Sequence, residues 1–283
     1  MPNLSCADFT FPLLTRSQVF SLLRLLDFNF VDIGLFERNA HVQTSAMMAS
    51  PKQFVKDLVE DLKRSKLHAS DVFLQIGISP RYASTNDPNA KVRTENREVL
   101  ERSLELCSAL SCKHMTGLPG VIHGDSQRDF ACAVEETHWR VEVCQAAGIT
   151  YAIEPHIGSI CADIISTRQL LDAVAGLTLT LDYGHFIAAG HNSEEVHLLL
   201  PAASHLHLRG GAPGCLQTSV AENTIDFSAL LDGLRRLNFD GFMALEYVWI
   251  DWEGCNRSDT LSETLLLRQA VAALADSMQW KVG

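Results

Sequence analysis

Glu154, Asp182, His207 and Glu246 each close a short apolar stretch with strand character, at 149–153, 177–181, 204–206 and 241–245. The gaps between them are each the length of one strand-plus-helix unit, so the spacing predicts four successive strands of a repeating βα chain. If those strands are parallel and close a barrel, their C-terminal ends share one rim, the face on which eight-stranded α/β barrels carry their active sites. Three carboxylates and an imidazole meeting there describe a divalent-cation site. The set is rich in oxygen, with one nitrogen and no thiolate, which favours Mn²⁺, Mg²⁺ or Co²⁺ over a structural zinc site, with Zn²⁺ left open. Such an ion can bind a carbonyl and an adjacent hydroxyl of a sugar and stabilise the enediolate charge as the α-proton leaves.

The elements that must position these residues alternate along the whole chain. Further strands are expected at 4–7, 30–34, 72–77 and 114–116, which makes eight. Eight helices fit between and after them, the first at about 16–26 and the seventh at about 227–237. Local chemistry marks several ends. Ser50-Pro51 reads as an N-cap with proline at the first helical position. Gly148 and Gly176 follow helical runs as C-terminal stops, and Thr260-Leu-Ser-Glu263 fits a capping box. Strict β/α alternation without a linker predicts one α/β domain over residues 1–283, a parallel (β/α)8 barrel. Two long connections, 35–49 and 78–91, would lie on the rim that carries the candidate ligands and could cover a pocket there.

Strand alternation places Glu154 and His156 on one face, and His205, His207 and Arg209 on another. An ionised carboxylate buried on such a stripe needs compensation, which a divalent ion supplies. His205 lies one pleat deeper than His207 and reads as a core residue, with a ligand role the lesser reading. His156 reads as a substrate contact or as a residue orienting Glu154, and equally as a structural residue. The glycine-rich 210–214 segment could hold phosphate on backbone N–H groups or simply form a tight turn, and Gln217 beside it has no clear role. In the 247–257 stretch, Trp249, Trp252, Tyr247 and Arg257 suit stacking on a sugar ring or attached aromatic group, or packing of the loop on the barrel.

Composition bounds the rest. Hydrophobic residues are 47% and charged residues 20% of 283, the balance of a soluble globular chain. A net charge of −11 speaks against nucleic acid and anionic lipid as partners. The eight cysteines are irregularly spaced without a C-x-x-C and are expected to be reduced thiols. The chain start shows neither a basic n-region nor an apolar run, so a cytoplasmic location is expected.

Taken together, Tyr-Ala-Ile-Glu154-Pro-His156, Leu-Asp182-Tyr-Gly-His185, His205-Leu-His207-Leu-Arg209, Ala-Leu-Glu246 and Asn-Phe-Asp-Gly-Phe before the eighth strand resemble the xylose isomerase-like TIM-barrel superfamily, in particular its sugar phosphate isomerase/epimerase members. The resemblance implies that Glu154, Asp182, His207 and Glu246 hold the divalent ion, for which the donor set puts Mn²⁺ foremost. It also implies that Glu154 and Glu246 remove and return a proton on opposite faces of a small carbohydrate, giving epimerisation or aldose–ketose isomerisation. His185 matches a substrate-binding histidine. Arg209 stands where many members carry lysine, and Gly210 where they carry aspartate. Homo-oligomers are common in the family. A lyase or dehydratase acting on a keto-sugar or glycoside is the alternative, since the same proton abstraction can expel a neighbouring leaving group. An AP endonuclease would need further metal-binding histidines at the ends of the third and fourth strands, where Gln75 and Thr116 stand, and an Asp-x-His after the seventh, where the chain reads Arg209-Gly-Gly, so only one ion is fully coordinated. A non-catalytic barrel would be expected to have lost a ligand, yet all four are present.

Overall fold

The computed structural model describes residues 3–280. Its strands are β1 (Asn3–Ala7), β2 (Phe30–Phe36), β3 (His68–Gln75), β4 (His114–Gly117), β5 (Thr150–Ile153), β6 (Thr178–Asp182), β7 (Ala203–Leu208), β8 (Gly210–Ala212), β9 (Cys215–Thr218) and β10 (Phe242–Leu245). Eight of them close a barrel in the order β1-β10-β7-β6-β5-β4-β3-β2, every pairing parallel. The expected (β/α)8 architecture is therefore the observed one. β8 and β9 form an antiparallel hairpin on the rim, in the stretch expected to be a glycine loop.

Helices α1 (Arg16–Leu25), α2 (Thr44–Ala49), α3 (Pro51–Ser65), α4 (Ala90–Leu110), α5 (Ser126–Ala146), α6 (Ile164–Ala173), α7 (Tyr183–Ala188), α8 (Ser193–His197), α9 (Phe227–Arg236) and α10 (Thr260–Ser277) follow the strands. The two beyond the expected eight are short: α2 lies inside the 35–49 connection, and α7 starts directly after Asp182. Pro51 opens α3 as expected, although the Ser50 side chain makes no capping bond. Gly148 and Gly176 both adopt positive φ beyond α5 and α6. The capping box at Thr260 does not form. Asp259 caps α10 instead, accepting from Ser262 N, and Glu263 reaches across to accept from Val220 N at 2.7 Å. No helix among the described residues is long and apolar enough to cross a membrane.

Outward strand positions such as Ile33, Val72, Leu74, Met115, Ile153, Leu206, Leu208, Met243 and Leu245 are buried against the helices and supply the main core. The barrel interior differs from the branched apolar layers usual in this architecture. Ser5, Asp32, Asp71, Thr116, Thr180, His205 and His207 are all buried, and several face one another across the barrel. Two register shifts set their heights. One between Val31 and Asp32 puts Asp32 opposite Asp71; another between Leu179 and Thr180 puts Asp182 opposite His207. Bulges of this kind re-aim side chains near functional sites.

Candidate metal centre

Ladder bonds running past the strand ends deliver two of the acids to the rim. Glu154 N donates to Gly117 O at 2.9 Å, and Glu246 N donates to Leu208 O at 3.0 Å. Asp182, the last residue of β6, has its Oδ1 held by Gly184 N at 2.7 Å, which fixes the start of α7.

The four candidate ligands converge as two overlapping groups. Glu154, His207 and Glu246 form one and Glu154, Asp182 and His185 the other, with one donor atom per residue lying within 4.8 Å of the rest of its group. His207 Nδ1 is 2.6 Å from Glu154 Oε1 and 3.4 Å from Glu246 Oε2. Arg209 links the two groups. Its Nε donates to Asp182 Oδ2 at 2.8 Å, and its Nη2 donates both to that oxygen and, at 2.7 Å, to Glu246 Oε2.

This donor set fits a divalent cation. It combines three buried carboxylates with an imidazole nitrogen aimed at two of them, the oxygen-rich mixture that hard and borderline ions take. Glu154 Oε2 and Glu246 Oε1 hydrogen-bond to nothing among the described residues, so each acid keeps a free oxygen. For Asp182 to join the same ion, Arg209 must share or release Oδ2.

Burial and proximity drive the two glutamates apart. Burial pushes the Glu246 carboxyl up to about 8, against the pull of Arg209 and His207. The same burial acts on Glu154, but there the charge and hydrogen bond of His207 prevail and hold it down at about 2. Burial acts to lower the His207 imidazole as well, and is outweighed by Glu246 and Glu154, which raise it well above its ordinary value. His185 is pushed down to about 4 by burial, in spite of Asp182, and is neutral at neutral pH.

Above these groups lies a cavity of about 430 Å³. The long connections do line it, through Phe36, Arg38 and Asn39 and through Ile78, Ser79 and Pro80. On the β1–β3 side of the ring, Phe9, Phe36 and Phe73 pack with centroid separations of 5.0 to 6.1 Å. On the β5–β6 side stand His156 and His185, both within 6.5 Å of the Trp252 ring. His156 has Nδ1 on Ile157 O at 2.9 Å, and its Nε2 is buried without a partner among the described residues. Glu154, His156, His185, Arg209 and Glu246 all line the cavity, whereas Trp249 and Arg257 do not. Of the residues that the sequence offered in this loop, Trp252 is the one that lines the cavity, just before left-handed Glu253 and Gly254. Gln217 is a clamp: Nε2 donates to Val248 O at 2.9 Å and Cys255 O at 2.6 Å, and Oε1 accepts from Val248 N at 2.8 Å. The phenylalanine wall carried no periodic signal in the sequence, since its members lie on separate strands and a loop.

A family model described as xylose isomerase-like TIM barrel matches residues 20–277. Among solved structures, an L-ribulose 3-epimerase superposes with a TM-score of 0.75 at 12% identity, covering 99% of this chain and 96% of that one. AP endonuclease, family 2 from Brucella melitensis superposes at 0.72 with 17% identity, covering 95% and 99%. The probable 3-DHS dehydratase from Bacillus anthracis superposes at 0.70 with 15% identity, again covering 95% and 99%. At these identities the likeness is one of fold. No curated protein matches the chain.

Proposed function

The chain belongs to the xylose isomerase-like TIM barrel family, and from that membership we propose that it is a divalent-metal-dependent isomerase or epimerase of a small carbohydrate. The observation that carries the reading is the pair Glu154 and Glu246. Two buried carboxylates line one cavity, and each keeps one oxygen free of hydrogen bonds among the described residues. Two positioned carboxyls facing one cavity are suited to taking a proton from a substrate and returning it.

In this reading Glu154, ionised, takes the proton from the carbon next to a carbonyl through its free Oε2. Glu246, anchored by Arg209 through Oε2, returns a proton from Oε1. Neutral His185 hydrogen-bonds a substrate hydroxyl, and His156 lies beside it. Glu154, Asp182, His207 and Glu246 would hold the ion, for which manganese is our choice on the oxygen-rich donor set. When bound, it supplies positive charge that offsets the negative charge developing on the substrate oxygens.

A second reading, a lyase or dehydratase, is favoured by the Phe9–Phe36–Phe73 wall, which suits a substrate with an apolar ring or aglycone. It begins with the same proton removal. Metal-loaded protein should therefore exchange a hydrogen on carbon next to a carbonyl, tested by mass spectrometry in D₂O and with deuterated substrates across ketoses, sugar phosphates and 3-keto-glycosides. Chelation should abolish it. An isomer of equal mass marks the first reading and an unsaturated product the second. Turnover with every carbon-bound hydrogen retained would refute both.

A further inference from the structure

Below the cavity, on the barrel axis, is a second cluster of metal-ligating side chains. Asp32 on β2, Asp71 on β3 and His205 and His207 on β7 each offer one donor atom within 4.8 Å of the other three, and all four residues are buried. Asp32 Oδ2 lies 2.6 Å from His205 Nε2 and 3.5 Å from His207 Nε2. Three buried atoms in this cluster have no hydrogen-bond partner among the described residues: Asp71 Oδ2, His205 Nδ1 and His207 Nε2. An orphaned carboxylate oxygen and an orphaned imidazole nitrogen in one polar pocket are costly unless something else completes them.

The outer oxygens of both aspartates are already tied. Asp32 Oδ1 accepts from Ser5 Oγ at 2.9 Å and Ser70 Oγ at 2.5 Å. Asp71 Oδ1 is 2.7 Å from His114 Nδ1, and the far side of that ring meets Ser204 Oγ at 2.8 Å, which in turn meets Thr178 Oγ1 at 2.7 Å. Each acid thus has one oxygen oriented by neighbours and the other left toward the cluster, as supporting groups do for metal ligands. Two imidazoles and two carboxylates make a four-donor N₂O₂ set, the mixture and number that zinc-like ions take.

We propose that Asp32, Asp71, His205 and His207 form a second divalent-cation site, one layer beneath the cavity, with His207 joining the two sites through its ring. Its Nδ1 faces Glu154 and Glu246, and its Nε2 faces Asp32. A ring holding an ion at each nitrogen gives its protons to solvent on loading. The deeper ion would set the position of His207 from below and neutralise the two aspartates.

The test is titration of the metal-stripped full-length protein with Co²⁺, reading stoichiometry by calorimetry and ligand field by visible absorption. Wild type should take two equivalents. Asp71→Asn and His205→Gln should each lose the deeper one, and Asp182→Asn the upper one. Ser70→Ala, which removes only a supporting bond, should weaken the deeper site about 10-fold and guards against variants that fail to fold. A single equivalent lost with Asp71→Asn but kept with Asp182→Asn would leave the deeper site standing and remove the upper one. The proposal is overturned if wild type takes no Co²⁺, or if Asp71→Asn, His205→Gln and Ser70→Ala all bind as wild type does.

Discussion

Glu246 and Glu154 are the same residue type at equivalent strand ends, and their neighbours make them different acids. Exchange of Glu246 for glutamine keeps a single acceptor oxygen, enough for Arg209, and puts in place of the other an NH₂ that neither titrates nor ligates a cation. Glu246→Gln should therefore retain the fold by circular dichroism and lose about 10²–10⁴-fold in turnover. Near-wild-type turnover of an identified substrate would refute its role. A second consequence concerns protons. A carboxyl pushed up to about 8 is mostly protonated near neutral pH, and an arriving cation favours its charged form. Metal binding at about pH 7 should therefore release more protons from wild type than from Glu246→Gln, and this difference should vanish at about pH 9, where Glu246 is already ionised. Calorimetry in buffers of different protonation enthalpy measures it. A difference that persists unchanged at the higher pH would show that Glu246 is not the source. At this scale the strand-end acids, His207, Arg209 and His185 were legible in the sequence because each follows or ends an apolar run. Asp32 and Asp71 were not, because an acid inside a strand reads as a solvent-facing position until barrel closure turns it inward.

The strand-end loops show how far elements could be read. Eight barrel strands were visible because apolar runs alternate with helical periods. The β8–β9 hairpin was hidden, because Gly210, Gly211 and Gly214 signal a turn without saying that flanking residues pair across it. Gln217 on β9 holds the loop after β10 through three bonds to Val248 and Cys255. That loop carries Trp252 to the cavity. Gln217→Glu would replace a buried amide donor with a carboxylate facing two carbonyl oxygens, leaving both carbonyls unpaired at a cost of about 1–3 kcal/mol. Local rather than global loosening is expected, because the clamp joins two rim segments and leaves the barrel ladder intact. Hydrogen exchange at 248–257 should accelerate in Gln217→Glu while the barrel strands stay protected. Unchanged exchange there would show that the clamp does not hold the loop.

At the scale of the whole molecule, the polar barrel interior makes stability depend on pH, and Asp8 gives a readable part of that dependence. Asp8 directly follows β1 and is fully buried; Oδ1 accepts from Gly34 N at 2.9 Å, and Oδ2 has no partner among the described residues. Burial raises its carboxyl from 3.8 to about 7, with the Gly34 and Phe9 N–H groups pulling the other way. The native state therefore holds a proton that the unfolded chain has released between those two values. The stabilisation is complete below the unfolded value, declines as pH rises across the window, and is gone above about 7. Asp32 and Glu154, whose carboxyls are lowered, act with the opposite sign, so total stability mixes the contributions. Comparison with Asp8→Asn isolates this one, since the amide keeps the acceptor for Gly34 and cannot ionise. Any penalty for the unpaired NH₂ is the same at every pH. From about pH 5 to about pH 8, wild type should lose stability relative to Asp8→Asn by a few kcal/mol, since each tenfold difference in proton affinity between the folded and unfolded chain is worth about 1.4 kcal/mol. Denaturant melts of both proteins across that range provide the measurement, and a wild-type-minus-variant difference that stays flat with pH would mean that Asp8 is ionised in the native barrel.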